Sequence, residues 1–369
     1  MSRIRQISEL GQAIWLDFIS RDLLRSGKLR DLVNRGMTGM TSNPTIFQKS
    51  IAAGREYDDQ IRELAAARKS TYEIYEALAM QDIGEAADQI RSVYNESQAR
   101  DGFVSIEVNP RLADDSDATI EEARRLFRSI DRPNVMIKVP ATPAGIPAIR
   151  TLIGEGINVN VTLIFSIGAY EKVMEAYIEG LRRLRESGRP LGFVGSVASF
   201  FVSRVDTLID GLLTKRIDAG ERELGTLRGQ AAIANARIAY DCYKSVFEGP
   251  QFADLRAAGA RVQRPLWAST STKNPAYSPT KYVDALIGPN TVNTVPPETL
   301  DAIEDHATPA RTIDLDVQQS YAVIEKLRTV GVDMTRVTDQ LLADGVRLFA
   351  ESFDKLLGDL ETKRAKHAR

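Results

Sequence analysis

Two apolar stretches in the middle of the chain, NVMIKV at 134–139 and INVNVTLIF at 157–165, decide the fold. Both are rich in β-branched residues. The first has successive apolar residues at 135–137, and the second ends in the apolar run at 163–165. That pattern is typical of strands buried on both faces, as in parallel sheets whose crossover helices cover each side. The two stretches therefore predict strands of a buried parallel sheet.

Six further runs of the same kind flank this pair. They lie at 13–18, 37–42, 102–108, 191–199, 262–269 and 290–295. Apolar residues at helical spacing fill much of the intervening sequence, at 20–35, 70–100, 116–130, 166–187, 199–217, 222–247, 314–329 and 333–358. Eight strands that alternate with helices favour a closed (β/α)8 TIM barrel over an open doubly wound sheet.

The length of the chain exceeds what such a barrel needs. It has 369 residues, against roughly 250 in a typical barrel of this type. About 60 residues separate the second run from the third and the sixth from the seventh, and three helical segments follow the eighth. We therefore predict a single α/β barrel domain over 1–369 with additional helices, including a C-terminal helical extension at 297–369 that packs on the barrel.

The composition excludes several classes of function. With 48 Lys+Arg against 50 Asp+Glu the chain lacks the basic excess of a nucleic-acid-binding protein. No apolar run approaches the roughly 20 residues that cross a bilayer, and the N-terminal segment has no signal-peptide core. A single cysteine, Cys242, excludes an intramolecular disulfide. These features predict a cytoplasmic protein with neither nucleic-acid nor membrane partners.

Histidine is scarce, since the chain has only His306 and His367. A histidine-based general acid–base scheme, a Cys/His metal cluster or a Ser-His-Asp triad would each need one of these two residues. We therefore expect Lys, Asp and Glu side chains and backbone groups to carry any catalysis. The sequence contains no glycine-rich nucleotide loop and no metal-ligand cluster, so no metal or organic cofactor is expected.

Polar residues stand near the ends of the predicted strands, where barrel enzymes assemble their active sites. They are Asp17, Thr41, Asn43, Glu107, Lys138, Asn160, Thr162, Ser199, Ser269 and Thr294. Lys138 is flanked by apolar residues on both sides, and lysine is seldom fully buried unless it is paired. It is either an ion-paired or solvent-reaching lysine at a strand end, or a desolvated lysine with a lowered pKa whose neutral amine attacks a carbonyl.

The remaining candidates also have two interpretations each. Glu107 and Asp17 are either ion-pair or helix-capping groups, or the general acid and base that imine chemistry and carbon–carbon cleavage require. Arg204 is either a surface arginine or a phosphate ligand at the start of a helix. The stretch 269–275, which contains Lys273, is either a polar loop or the phosphate-binding loop that often follows the seventh strand of such barrels.

Several motifs, in order along the chain, resemble the transaldolase family. TGMTSNPTIF at 38–47 is similar to the sequence around the family's second strand. NVMIKVPAT at 134–142 and GINVNVTLIFS at 156–166 resemble its Schiff-base lysine motif and the strand that follows. SFFVSR at 199–204 continues the match, which covers roughly residues 13–206, and ASTSTKNP at 268–275 is similar to the seventh-strand loop.

The resemblance implies an activity and a role for each matching residue. The chain would transfer a dihydroxyacetone unit from sedoheptulose 7-phosphate to glyceraldehyde 3-phosphate, giving erythrose 4-phosphate and fructose 6-phosphate, in the non-oxidative pentose phosphate pathway. Lys138 would form the Schiff base, Glu107 would shuttle protons through a water held by Thr162, and Asp17 would accept the hydroxyl proton. The implied substrate-binding residues are Thr41, Asn43, Asn160, Ser199, Phe201, Arg204, Ser269 and Lys273.

Two alternatives remain beside this interpretation: a fructose 6-phosphate aldolase of the same fold, and a non-catalytic barrel that binds phosphosugars. Phe201 favours transfer, because the related aldolases carry tyrosine at that position. Shorter family members place an arginine two residues beyond the serine of the seventh-strand loop, whereas Ser271 stands there in this chain. Lys273 is therefore predicted as the second phosphate contact. The sequence leaves the oligomeric state open, with a homodimer among the alternatives.

Overall fold

Eight short parallel strands form the centre of the computed structural model, which describes residues 2–367; Met1 and residues 368–369, at the ends of the predicted domain, lie outside the described residues. The strands are β1 (Gln12–Asp17), β2 (Gly39–Thr41), β3 (Val104–Glu107), β4 (Val135–Pro140), β5 (Val159–Ile164), β6 (Ser196–Phe201), β7 (Arg264–Ala268) and β8 (Thr291–Val295). Each pairs in parallel with its neighbours in chain order, and β8 pairs with β1. The closed barrel confirms the predicted fold class.

Helices cover the outside of the barrel. They are α1 (Arg3–Glu9), α2 (Arg21–Arg25), α3 (Lys28–Arg35), α4 (Pro44–Ala53), α5 (Asp58–Ala66), α6 (Thr71–Gln89), α7 (Arg91–Glu96), α8 (Ser116–Ile130), α9 (Gly145–Gly154), α10 (Ile167–Glu186), α11 (Ser203–Asp218), α12 (Ala231–Phe247), α13 (Ala253–Ala257), α14 (Lys281–Asp284), α15 (Pro297–His306), α16 (Val317–Thr329) and α17 (Met334–His367). Over residues 2–367, none of these helices combines the length and the hydropathy that a bilayer span requires.

Some of these helices differ from the sequence-based expectation. The crossover helix α9 was not predicted, because glycine at both of its ends and Pro147 in its first turn are typical of a loop. Proline is tolerated in the first turn of a helix, where its missing N–H has no partner to lose. Ile149, Leu152 and Ile153 are buried and stabilise α9 by packing. The helix predicted over 222–247 instead begins at Ala231, after a 3₁₀ turn at Arg222–Leu227.

The last helix, α17, crosses the barrel and contacts α4, α5, α6, α11 and β5. Its inward face repeats at helical spacing. Val337, Leu341, Phe349, Phe353, Leu356 and Leu360 on that face are all buried. The predicted extension at 297–369 thus contains α15, α16 and α17, and its assignment to a single domain with the barrel stays a prediction.

Gly345 brings α17 close to strand β5. A Cβ atom at this position would lie only 2.8 Å from Cδ2 of Leu163. Leu163 has a left-handed backbone, with φ of +59°, where the pairing of β5 with β6 shifts register between Val161 and Ile164. An irregularity of this kind re-aims the side chains beside it, and here it raises Leu163 toward the helix.

Candidate functional site

A cavity of about 430 Å³ opens at the carboxyl-terminal end of the barrel. This is the end at which barrel enzymes carry their active sites. The residues predicted from the sequence that line it are Asp17, Thr41, Asn43, Lys138, Thr162, Ser199, Phe201, Arg204, Ser269, Lys273 and Thr294. The structure therefore brings together side chains from strands that are far apart in the sequence. Glu107 and Asn160 lie behind the cavity wall.

Lys138 stands on β4 with its amine at the wall of this cavity. The residue is 5% exposed, and its Nζ lies 3.5 Å from Oε2 of Glu107. Nζ also donates a hydrogen bond of 3.3 Å to the carbonyl oxygen of Ser42. The two alternatives for Lys138 are therefore not exclusive, because the lysine is paired and buried and also faces a cavity large enough for a ligand.

Glu107, which pairs with Lys138 in the register of β3 and β4, is buried beside the lysine. Burial raises the pKa of Glu107 to about 7, although the charge of Lys138 opposes the shift. Oγ1 of Thr162 is also buried and has no hydrogen-bond partner within residues 2–367, whereas Oε2 of Glu107 contacts Nζ of Lys138 at 3.5 Å. An unsatisfied buried oxygen destabilises a protein by about 1–3 kcal/mol, so the Thr162 hydroxyl is suited to bind a group that is not part of the chain.

Asp17 ends β1 beside Thr41 of β2. The Thr41 hydroxyl donates to Oδ1 of Asp17 at 2.6 Å, and its oxygen lies 2.6 Å from Oγ1 of Thr294 on β8. Burial raises the pKa of Asp17, while the charge of Lys138 and the hydrogen bond from Thr41 lower it. Asp17 and Glu107 thus flank the lysine in different settings, one with a hydroxyl donor at the cavity and one paired with the amine behind it.

Asn160 binds the Ser199 hydroxyl and does not line the cavity itself. The Ser199 hydroxyl donates to Oδ1 of Asn160 at 2.7 Å, and Nδ2 of Asn160 donates to Oγ of Ser105 at 3.0 Å. Asn160 is fully buried, so its amide orients the serine that lines the cavity. Asn43 also has a local partner, because its Oδ1 accepts from the backbone N–H of Ile46 and begins α4.

Positive charge collects on one side of the cavity. Arg204 lies in the first turn of α11, and its guanidinium carbon lies 5.0 Å from the centre of the Phe201 ring. Burial lowers the pKa of Arg204, and the charge of Asp17 raises it. Ser269 lies next to α11, with its Oγ 3.0 Å from that of Ser203. Lys273 is exposed at the rim, and its Nζ donates to Oγ of Ser271.

Other residues line the cavity that were not predicted from the sequence, and three of them are Thr45, Lys49 and Phe349. The first two lie on α4, four residues apart on one face of the helix. An asparagine followed by proline at 43–44 is a good helix start, and it could have revealed α4 and both side chains. Phe349 lies on α17, far along the chain, and no local pattern connects it with the strand ends.

The side chains at this cavity favour amine and carboxylate chemistry. Two carboxyl groups in unlike environments flank a lysine, a combination that can divide proton donation from proton acceptance. Over the part of the chain that the structure describes, no group of three or more His, Cys, Asp or Glu residues could hold a metal ion.

Comparisons with known proteins give a consistent result. A family model described as transaldolase/fructose-6-phosphate aldolase matches residues 14–360. The chain is 47% identical to a protein named transaldolase 2 from a Nostoc species, with 98% of each chain covered. It is 48% identical to a transaldolase from a Parafrankia species, with 96% of each chain covered. It is also 48% identical to a transaldolase from Mycolicibacterium smegmatis, over 95% of this chain and 94% of that one.

Proposed function

The chain belongs to the transaldolase/fructose-6-phosphate aldolase family, and we propose that Lys138 carries its transaldolase activity through a Schiff base. The activity is the transfer of a dihydroxyacetone unit from sedoheptulose 7-phosphate to glyceraldehyde 3-phosphate, which yields erythrose 4-phosphate and fructose 6-phosphate. The observation that carries the proposal for Lys138 is its buried Nζ at the cavity wall, 3.5 Å from the Glu107 carboxylate.

The first step is formation of the imine. The neutral amine of Lys138 attacks C2 of the ketose phosphate and gives a carbinolamine. Glu107 then donates a proton, through a water held by Thr162, to the hydroxyl group on C2, which leaves as water. The pKa of Glu107, raised by burial to about 7, supports this role because a large fraction of the carboxyl groups is protonated near neutral pH.

The second step is cleavage of the carbon–carbon bond. Asp17 accepts the proton of the C4 hydroxyl, the C3–C4 bond breaks, and its electron pair is delocalised into the protonated imine. The aldose phosphate leaves, and the three-carbon unit stays on Lys138 until an acceptor aldehyde phosphate binds and the steps run in reverse. The hydrogen bond from Thr41 supports the role of Asp17, because it fixes one carboxylate oxygen and leaves the other to accept the proton.

The phosphate group of the substrate binds at the positive side of the cavity. Arg204 supplies a fixed positive charge, and the N-terminal amides of α11 add a favourable dipole. Ser269 and Lys273 complete this part of the cavity.

Borohydride trapping tests the Schiff base directly. Incubation with fructose 6-phosphate and borohydride should reduce the imine and leave one modified peptide, which contains Lys138. A parallel reaction without sugar phosphate is the control and should give no adduct. Modification of Lys49 instead of Lys138, or no modification at all, would contradict the proposal. Predominant release of free dihydroxyacetone in place of transfer would favour the aldolase alternative.

Glu107→Gln should lower kcat by about 100-fold, within the range usual for loss of a general acid–base group. The glutamine keeps the shape of the side chain but cannot give up a proton. Since Glu107 donates when protonated and its pKa is raised to about 7, the rate limited by imine formation should fall as the pH rises above about 7. A pH–rate profile measures this fall, and the decrease in rate above about pH 7 should be absent in the variant. An unchanged profile in Glu107→Gln would count against this role.

Three broader expectations belong to the same proposal. The sugar phosphates named above place the enzyme in the non-oxidative pentose phosphate pathway. A cytoplasmic location agrees with a chain that has one cysteine and therefore no intramolecular disulfide. The oligomeric state stays open, with a homodimer among the alternatives.

A further inference from the structure

The C-terminal helix contributes an aromatic ring to the cavity. Phe349 of α17 is 6% exposed and lines the cavity. The centre of its ring lies 5.5 Å from Nζ of Lys138. This distance is within the range at which a ring face attracts a cation. Two polar groups also lie close to Nζ, the carboxylate of Glu107 and the carbonyl oxygen of Ser42.

The position of this ring is fixed by the packing of α17. On the N-terminal side of Phe349, Gly345 lets the helix approach Leu163 of β5. On the C-terminal side, Ser352 accepts a hydrogen bond of 2.9 Å from Thr45 of α4, and Lys363 pairs with Asp58 at 2.9 Å. Both ends of the segment are thus tied to the barrel or to the helices around it, and the ring does not depend on a mobile loop.

Phe349 differs from its neighbours on the same face of α17. Phe353, one turn further along, packs against the rings of Tyr72 and Tyr75, with centroids 6.2 and 5.3 Å away. Leu356 and Leu360 are fully buried. Among these residues only Phe349 lines the cavity that contains Lys138. An apolar ring placed there limits how water can approach the amine from that side.

We propose that Phe349 shields the imine on Lys138 from water and so determines how much of the bound three-carbon unit is transferred rather than hydrolysed. This inference rests on the proposed Schiff base. The ring face also favours the positive charge of the protonated imine, the species that precedes cleavage of the C3–C4 bond. Phe349 thus changes the ratio of hydrolysis to transfer, in addition to its contribution to the packing of α17.

The three-carbon intermediate can react in two ways, which differ in the stage at which water attacks C2. In transfer, C3 of the bound unit attacks the aldehyde carbon of the acceptor, and the imine is hydrolysed only after that bond has formed. In the competing reaction C3 takes a proton, water adds to C2, and the carbinolamine collapses to free dihydroxyacetone and the Lys138 amine. An apolar ring over the nitrogen disfavours the second route, because it hinders solvent from supplying both the proton and the water.

Phe349→Leu tests the proposal. Leucine keeps an apolar side chain on α17 but removes the ring, and the ratio of dihydroxyacetone released to units transferred should rise roughly tenfold, a difference of about 1.4 kcal/mol between the two activation barriers. The assay uses fructose 6-phosphate with erythrose 4-phosphate as acceptor and measures both products together. The matched control is Leu360→Ala, on the same face of α17 three turns away, which should lower Tm but leave the ratio unchanged.

The outcomes separate this inference from the proposed function. If wild-type enzyme forms the borohydride adduct on Lys138 but Phe349→Leu keeps the wild-type ratio, the shielding role is wrong and the Schiff base stands. If both variants raise the ratio in proportion to their loss of Tm, the effect is one of general packing and the inference also fails. Failure to trap any adduct on Lys138 would instead overturn the function on which the inference rests.

Discussion

Lys138→Arg should reduce kcat/KM for transfer by on the order of 10⁴-fold or more, as removal of a covalent nucleophile generally does. Arginine keeps the positive charge beside Glu107 and a similar length, so the buried ion pair has a replacement partner. Its guanidinium stays protonated at any ordinary pH and cannot attack the carbonyl carbon. The substitution therefore separates the charge of the side chain from its nucleophilicity, and steady-state kinetics together with borohydride trapping measure the result.

The control for this variant is Lys69→Arg, at an exposed lysine that pairs with Glu73 on the outside of α6. It should retain wild-type kinetics and the adduct on Lys138. Lys138→Arg should give no adduct with fructose 6-phosphate and should remain folded by circular dichroism. A folded Lys138→Arg protein with more than a few per cent of wild-type transfer would refute a lysine Schiff base at this position.

Asp17→Asn should lower kcat for transfer by about 10³-fold, within the range reported for loss of a general base. Asparagine has nearly the same shape, and its amide oxygen can still accept the hydrogen bond that Thr41 donates at 2.6 Å. It cannot take the C4 hydroxyl proton, so the C3–C4 bond should break very slowly. Imine formation does not need this base, and the imine of the intact donor should therefore accumulate.

The mass of the trapped adduct distinguishes the two stages. With fructose 6-phosphate and borohydride, the Asp17→Asn variant should carry the whole six-carbon phosphate on Lys138, whereas wild type should also carry the three-carbon unit. Asp82→Asn provides a control at another buried aspartate, which pairs with Arg21 at 3.0 Å outside the cavity. The Asp82→Asn variant should have a lower Tm than wild type, while its kcat per folded molecule stays unchanged. Accumulation of the three-carbon adduct in Asp17→Asn would show that another group takes the proton.

Much of the barrel could be predicted from local sequence, because strands buried on both faces are rich in β-branched residues and carry apolar residues at many successive positions. Lys138 was prominent for the same reason, as a charged residue within such a run. The crossover helix α9 was missed because its proline and glycines are typical of loops, and its stability comes from buried isoleucine and leucine side chains that packing alone reveals. Local propensity is a weak guide wherever tertiary contacts supply most of the free energy.

The site was predictable where a strand end determines the position of a side chain, as for Asp17 and Thr41. Strand position could not say that Asn160 would bind Ser199 instead of facing the cavity, since that depends on the hydrogen bonds between neighbouring strands. Phe349 was beyond prediction for a different reason. Phe349 is far from Lys138 in the sequence. The two residues come close because α17 crosses the barrel, and the position of α17 depends on its packing against several helices.

The route of α17 over the barrel has a consequence for the newly made protein. Synthesis proceeds from the N-terminus, so Asp17, Glu107, Lys138 and Arg204 are all made before the helix that carries Phe349. A nascent chain that has folded its eight strands still lacks the part of the cavity wall that Phe349 forms. The chain therefore acquires Lys138 and the carboxyl groups beside it first, and the ring of Phe349 reaches the cavity only when α17 docks.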